Sequence, residues 1–153
     1  MHKINLYTIS KKDQSCYDKI SNDFIKMAKK YGKIEVFSIF NKNINQAQNR
    51  GLIEAKKSYT KALEPYLKDG FNIALDPKGK VLDTFEFANL IKKNTKINFF
   101  IGGAFGFEGE FLNRCDQTIS LSKLTFSHKI AKLILLEQIY RSFAIINSHP
   151  YHK

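Results

Sequence analysis

The chain has 153 residues, 43% hydrophobic and 25% charged, with a formal net charge of +11. That length and apolar content suit one compact domain and exclude a globally disordered chain, while only eight glycines and three prolines exclude a collagen-like or low-complexity one. The excess of basic residues directs the protein towards polyanions, nucleic acid first.

Strand-like and helical patterns alternate from end to end, the signature of βαβ units. The predicted fold is a single α/β domain over residues 1–153, with a mainly parallel sheet flanked by helices. The opening MHKINLYTIS is apolar too briefly before Lys11 and Lys12 to be a secretory signal. Lys3 to Ser10 reads as a strand. Gln14 to Tyr31 reads as a helix with Tyr17, Ile20, Phe24, Met27 and Ala28 at helical spacing, ended by Gly32. Lys33 to Phe40 is a second strand by its β-branched and aromatic content.

Asn41 to Asn49, rich in Asn and Gln, is expected to be an exposed connection. Gly51 to Leu67 reads as a helix carrying Leu52, Ile53, Ala55, Tyr59, Ala62 and Leu63. Its Lys56, Lys57 and Lys61 form a basic face that is either merely solvated or touches RNA phosphates. Phe71 to Leu75 is a short buried strand entering a tight reversal at Asp76-Pro77-Lys78-Gly79-Lys80. Asp83 or Thr84 caps a helix from about Phe85 to Lys93, and Ile97 to Ile101 has the apolar character of a central parallel strand. Glu108 to Cys115 is a short helix, Thr118 to Leu121 the last strand, and Ser127 to Asn147 the longest helix.

Cys16 and Cys115 are too far apart for a CxxC pair and too few for a disulfide framework, so reduced thiols are expected. No apolar run approaches the roughly 20 residues of a membrane span, and a soluble, cytoplasmic protein without a membrane partner is expected.

Three strand ends carry the unusual residues: Leu75-Asp76 with Gly79, Ile101-Gly102-Gly103 with Gly106, and Leu121 to Thr125. In a parallel sheet these ends share one edge, where ligands of open α/β sheets bind, and glycine lets a ligand approach the backbone. The glycines of GGAFGFEG do not spell GxGxxG, and no GxxxxGK[ST] loop is present. His128, His149 and His152 fall at the C-terminal end beside Tyr140, Arg141 and Tyr151. No metal is expected there, because HxxH is the only close histidine pair and no Cys adjoins it. Glu137 and Arg141 have the spacing of a helical ion pair, or Arg141 points at a phosphate instead. Ile130, Leu133, Ile134, Leu136, Ile139, Phe143 and Ile146 make the last helix apolar on more than one face. Either a second copy of the chain covers it, or it is central in a monomer.

The segments LDPKGK with DTFEFA after it, FFIGGAFGF, ISLSKLTFSHKIAKLILLEQIYRSFAIIN and the terminal HPYHK resemble RlmH. This is the SPOUT-class methyltransferase family that modifies N3 of a pseudouridine in 23S ribosomal RNA. The resemblance spans essentially the whole chain, and LSxxTxxH, EQxYR and YH together carry its specificity. It implies a C-terminal trefoil knot, a topology that the rule against threaded connections would not suggest. It also implies S-adenosylmethionine as methyl donor, no metal, and an obligate homodimer.

Carried over by motif, the cofactor-binding residues are Leu75, Gly102, Leu121, Ser122, Lys123, Leu124, Thr125 and Phe126. The resemblance further implies that His152 or Tyr151 assists removal of the N3 proton, that Arg141 holds RNA, and that His128 shapes the cofactor loop. The tail of one subunit is expected to complete the site of the other. The assembled ribosome is the expected substrate, because the chain has no appended RNA-binding domain. The alternatives are a non-catalytic RNA-binding or ribosome-assembly module and a SPOUT methyltransferase acting on transfer RNA. The final Lys153 departs from the arginine of some relatives, which removes a bidentate phosphate contact.

Overall fold

The computed structural model describes residues 1–12 and 14–153. In chain order its elements are β1 (His2–Ile9), α1 (Cys16–Ala28), β2 (Gly32–Ile39), α2 (Lys42–Arg50), α3 (Leu52–Leu63), β3 (Phe71–Val81), α4 (Thr84–Lys93), β4 (Lys96–Ile101), α5 (Gly109–Arg114), β5 (Gln117–Ser120) and α6 (His128–Ile146). The strands form one sheet in the order β2-β1-β4-β3-β5, and every neighbouring pair is parallel.

Because successive strand side chains point to opposite faces, adjacent residues enter different cores. Leu6, Ile73 and Phe99 join Leu135, Leu136, Ile139 and Phe143 of α6 on one face, while Tyr7, Ala74 and Phe100 pack with Ile44, Ala55, Tyr59, Leu63 and Phe111 on the other. Both faces of β4 are therefore buried, with Asn98 the one polar residue inside its apolar run. The centre of the sheet also holds a row of amides. Asn5 Nδ2 donates to Asn98 Oδ1 at 2.9 Å and Asn98 Nδ2 donates to Asn72 Oδ1 at 3.0 Å, with the three residues in register across β1, β4 and β3.

Three local expectations are corrected. Asn41 to Asn49 is not an open connection but mostly α2. Asn41 Oδ1 accepts from Ile44 N at 2.8 Å as the N-cap, and the helix buries only Ile44 and Ala47, too few to register as periodicity. Leu52 and Ile53 do not join the core. They are 51% and 67% exposed, because α3 turns Ala55, Tyr59 and Leu63 inward instead. In α1, likewise, Ile20 and Met27 lie on the exposed side.

The third correction concerns residues 76–80, where the chain does not reverse. β3 continues to Val81, and β5 pairs with both its halves across a shift of register between Leu75 and Lys80. Asp76 Oδ1 accepts from Lys78 N at 2.9 Å inside this bulge. A Cβ on Gly79 would stand 2.6 Å from the Ile119 carbonyl carbon, so only glycine lets β5 close against it. Asp83, rather than Thr84, then caps α4 through a reciprocal box with Glu86.

Candidate active site

β4, β3 and β5 are neighbours running in the same direction, so the loops at the carboxyl ends of β4 and β5 converge beside the bulge within β3. They enclose a cleft of about 330 Å³, within the roughly 300–1,000 Å³ of small-molecule sites. Leu75, Gly102, Leu121, Ser122, Leu124, Thr125 and Phe126 all line it, and so does His128. Lys123 does not: it is exposed and outside the lining. Pro77, Gly103, Ala104 and Ser127 also contribute. Of these, Gly103 was legible in the glycine pair, whereas Ala104 and Ser127 carry no motif of their own.

Internal hydrogen bonds hold the third loop. Ser122 Oγ accepts from Leu124 N at 3.0 Å and Ser122 O accepts from Ser120 Oγ at 2.8 Å. The glycine loop rests on Tyr59, where a Cβ on Gly103 would stand 2.6 Å from the phenol ring. Tyr59 is itself buried, which pushes its phenol pKa up, and its hydroxyl donates to Gln48 Oε1 at 2.5 Å. Leu75, Leu121, Leu124 and Phe126 offer apolar walls, and Ser122 and Thr125 offer hydroxyls between exposed loop backbones. This donor set fits an adenosyl group, which needs apolar contact on its faces and hydrogen bonds at its edges.

A second cluster forms where the tail folds back along α6. Ser148 adopts φ 53 and His149 N donates to Ala144 O at 2.8 Å, which turns the chain after the helix. Glu137 Oε1 then accepts from Arg141 Nε at 3.0 Å, from Arg141 Nη2 at 2.6 Å and from the Tyr151 hydroxyl at 2.9 Å. Arg141 Nη1 lies 3.2 Å from His152 Nδ1, and its guanidinium stacks over the Tyr151 ring at 4.8 Å. The bonds to Glu137 raise the Arg141 pKa. Burial first, and the bond to Glu137 second, push the Tyr151 phenol up, so it stays neutral. In the sequence Glu137 stands out only as an ion-pair partner of Arg141; its role as the common acceptor for Arg141 and Tyr151 depends on the fold-back.

The structure thus brings Arg141, Tyr151 and His152 together and leaves His128 apart from them. None of the three clustered groups lines the cleft. Arg141 stands thirteen positions after His128 on α6, about 20 Å at 1.5 Å per residue.

A family model described as "Predicted SPOUT methyltransferase" matches residues 2–152. The chain belongs to the SPOUT methyltransferase family.

Within the SPOUT family its relatives include proteins named ribosomal RNA large subunit methyltransferase H. The one from a Nitratiruptor species is 55% identical over 154 residues, covering 100% of both chains. Those from Aliarcobacter butzleri and Campylobacter lari are 54% and 52% identical, each covering 99% of both chains. These matches place the chain in the RlmH family, as the LSxxTxxH and EQxYR segments predicted. A solved structure titled as a probable methylase family protein from Haemophilus influenzae matches at TM-score 0.54 and 14% identity, covering 99% of this chain and 70% of that one. That likeness is of fold alone, and it agrees with a SPOUT-type α/β domain. Among the described residues no group of three or more His, Cys, Asp or Glu could hold a metal ion, and no helix is long and apolar enough to cross a membrane.

Proposed function

We propose that this chain is an S-adenosylmethionine-dependent methyltransferase that methylates N3 of a pseudouridine in 23S ribosomal RNA on the assembled ribosome, in the cytoplasm, as a homodimer. The observation that carries the reading is the convergence of the loops after β4 and β5, the second carrying LSxxTxxH, with the β3 bulge on one cleft. The relatives' names support ribosomal RNA as the substrate class, and a net charge of +11 suits a phosphate-rich partner. The trefoil knot implied by the resemblance belongs to the same reading.

S-adenosylmethionine, when bound, supplies an electrophilic methyl group. Leu75, Leu121, Leu124 and Phe126 would exclude water around it, while the backbones that line the cleft would fix its orientation. His128, at the start of α6, closes one side. The target nitrogen carries a proton that must leave as the new N–C bond forms. Tyr151, kept neutral by burial and Glu137, is a poor base. His152 is the better one, but its Nδ1 faces Arg141 in the present arrangement. An RNA phosphate that draws Arg141 away would free Nδ1 to take the N3 proton, coupling substrate binding to the base.

The separation of about 20 Å between His128 and Arg141 along α6 is what favours a dimer. A second copy, with its tail at the cleft, would unite the two clusters. The amino-terminal half of α6, with Ile130, Leu133 and Ile134 only half-buried, offers apolar surface for it.

Transfer of labelled methyl to unmodified assembled ribosomes, with free ribosomal RNA and transfer RNA in parallel and the modified base mapped, tests the reading. Label at a large-subunit pseudouridine of the assembled particle is expected. Label on transfer RNA alone would move the substrate, and no transfer despite bound cofactor would favour a non-catalytic RNA-binding module.

A further inference from the structure

A second cavity, about 360 Å³, lies directly beside the donor cleft. The two share Ala104 and His128 as lining. Its cations come from two places in the chain: Lys11 and Lys12 follow β1, while Lys129 and Lys132 stand three residues apart on α6, a spacing that puts them on one helical face. Tyr17 and Phe40 supply aromatic surface within the same cavity, and the Lys11 ammonium sits 5.3 Å from the Phe40 ring centre. Among the described residues its lining includes no carboxylate. The adjoining cavity that Lys12 and Lys132 also border contains one, Asp18.

The α3 lysine face is different. Lys57 and Lys61 line a cavity with Glu54, which stands 3.9 Å from the Lys57 ammonium, and that cavity shares no lining with the donor cleft. Its charge is partly neutralised where it stands.

We propose that the groove between the β1 end and α6 holds the RNA strand flanking the target base, with lysines on its phosphates and Tyr17 and Phe40 stacking unpaired bases. Lysines that track a backbone beside aromatic faces are how proteins hold single-stranded nucleic acid irrespective of sequence. A duplex would hide its bases from these rings. The groove is also tied mechanically to the donor site. Gln48 lines it and accepts from Tyr59, and the glycine loop rests on Tyr59. The inference rests on the methyltransferase reading of the adjacent cleft.

The test compares Lys12→Ala/Lys132→Ala with Lys57→Ala/Lys61→Ala in the full chain. It measures binding to unmodified large-subunit ribosomal RNA from about 50 to 200 mM salt, methyl transfer to ribosomes, and cofactor affinity. The groove pair is expected to raise KM and the RNA Kd about tenfold or more, with kcat and cofactor affinity within about twofold. Its salt slope should be shallower by about 1.4, two contacts at roughly 0.7 each. Lys12→Arg/Lys132→Arg should restore affinity, which a folding defect would not allow. The α3 pair should change RNA binding less than about twofold. Equal losses in the two pairs, or an unchanged slope in the groove pair, would overturn the groove. Wild-type protein that binds RNA through the groove yet transfers no methyl would instead overturn the methyltransferase reading, so the two failures are distinct.

Discussion

Arg141 Nη1 and His152 Nδ1 face each other at 3.2 Å, and because a guanidinium only donates, the imidazole nitrogen accepts. A neutral His152 therefore carries its proton on Nε2 in the resting chain. Glu137 holds the opposite edge of the same guanidinium and the Tyr151 hydroxyl as well. One carboxylate on α6 thus holds Arg141 and Tyr151 directly, and His152 through Arg141.

Replacing that carboxylate tests this dependence. Glu137→Ala should lower methyl transfer at least about tenfold through misplacement of Arg141 and Tyr151, with cofactor affinity unchanged because Glu137 is not in the cleft lining. Paired turnover and titration-calorimetry measurements check it; a parallel loss of cofactor affinity would contradict the assignment.

A site divided between subunits predicts complementation. Gly102→Val should fill the donor cleft, and deletion of Tyr151 to Lys153 should remove the tail groups, each abolishing turnover. Mixed after dissociation and reassociation, the two should recover about one quarter of wild-type activity, since about half the dimers are mixed and each has one intact site. No recovery would show that cleft and tail act within one chain.

Alkaline titration follows from the tyrosines. Tyr7, Tyr59 and Tyr151 all have pKa values raised above the ordinary 10.0, burial being the first cause in each. The fold thus favours the protonated form over the unfolded chain. That contribution is complete below about pH 10 and is lost as pH rises through the folded-state values. Thermal unfolding should show Tm falling above about pH 10, and less steeply in Tyr59→Phe, where one of these groups is removed. The Cys115 thiol is likewise pushed up to about 12 by burial, so thiol labelling at neutral pH should be confined to the exposed Cys16.

Gly79 offers a structural test of the third loop. Gly79→Ala places a methyl group against the Ile119 backbone and should cost about 1–3 kcal/mol in denaturant unfolding, the range of overpacking. Because β5 leads into Leu121 and Ser122, cofactor affinity should weaken along with stability.

The parts of the site that could be read in sequence are those written in short local patterns. The apolar run Ile97 to Ile101 with its glycine pair, and LSxxTxxH after a strand, located the cleft without any contact information. α2 was hidden because two buried residues suffice to dock a helix otherwise made of Asn, Gln, Lys and Arg. The continuation of β3 depends on a partner strand that arrives some forty residues later. The grouping of Glu137 with Tyr151 depends on the turn at Ser148, whose conformation no periodicity encodes.

The amide row in the sheet has a consequence for where the methyl donor would sit. A slide of β4 by one residue past β1 or β3 would carry Asn98 to the opposite face and strand it among hydrocarbon. The row is thus a datum from which β4 is measured, and the Gly102-Gly103 loop leaves the sheet at a height set by Asn98, about 13 Å upstream at strand rise. Asn98→Leu keeps the shape and apolar character of a core residue but erases that reference mark. Its sheet would tolerate more than one alignment, and the three loops would meet at the wrong level while the protein remained folded.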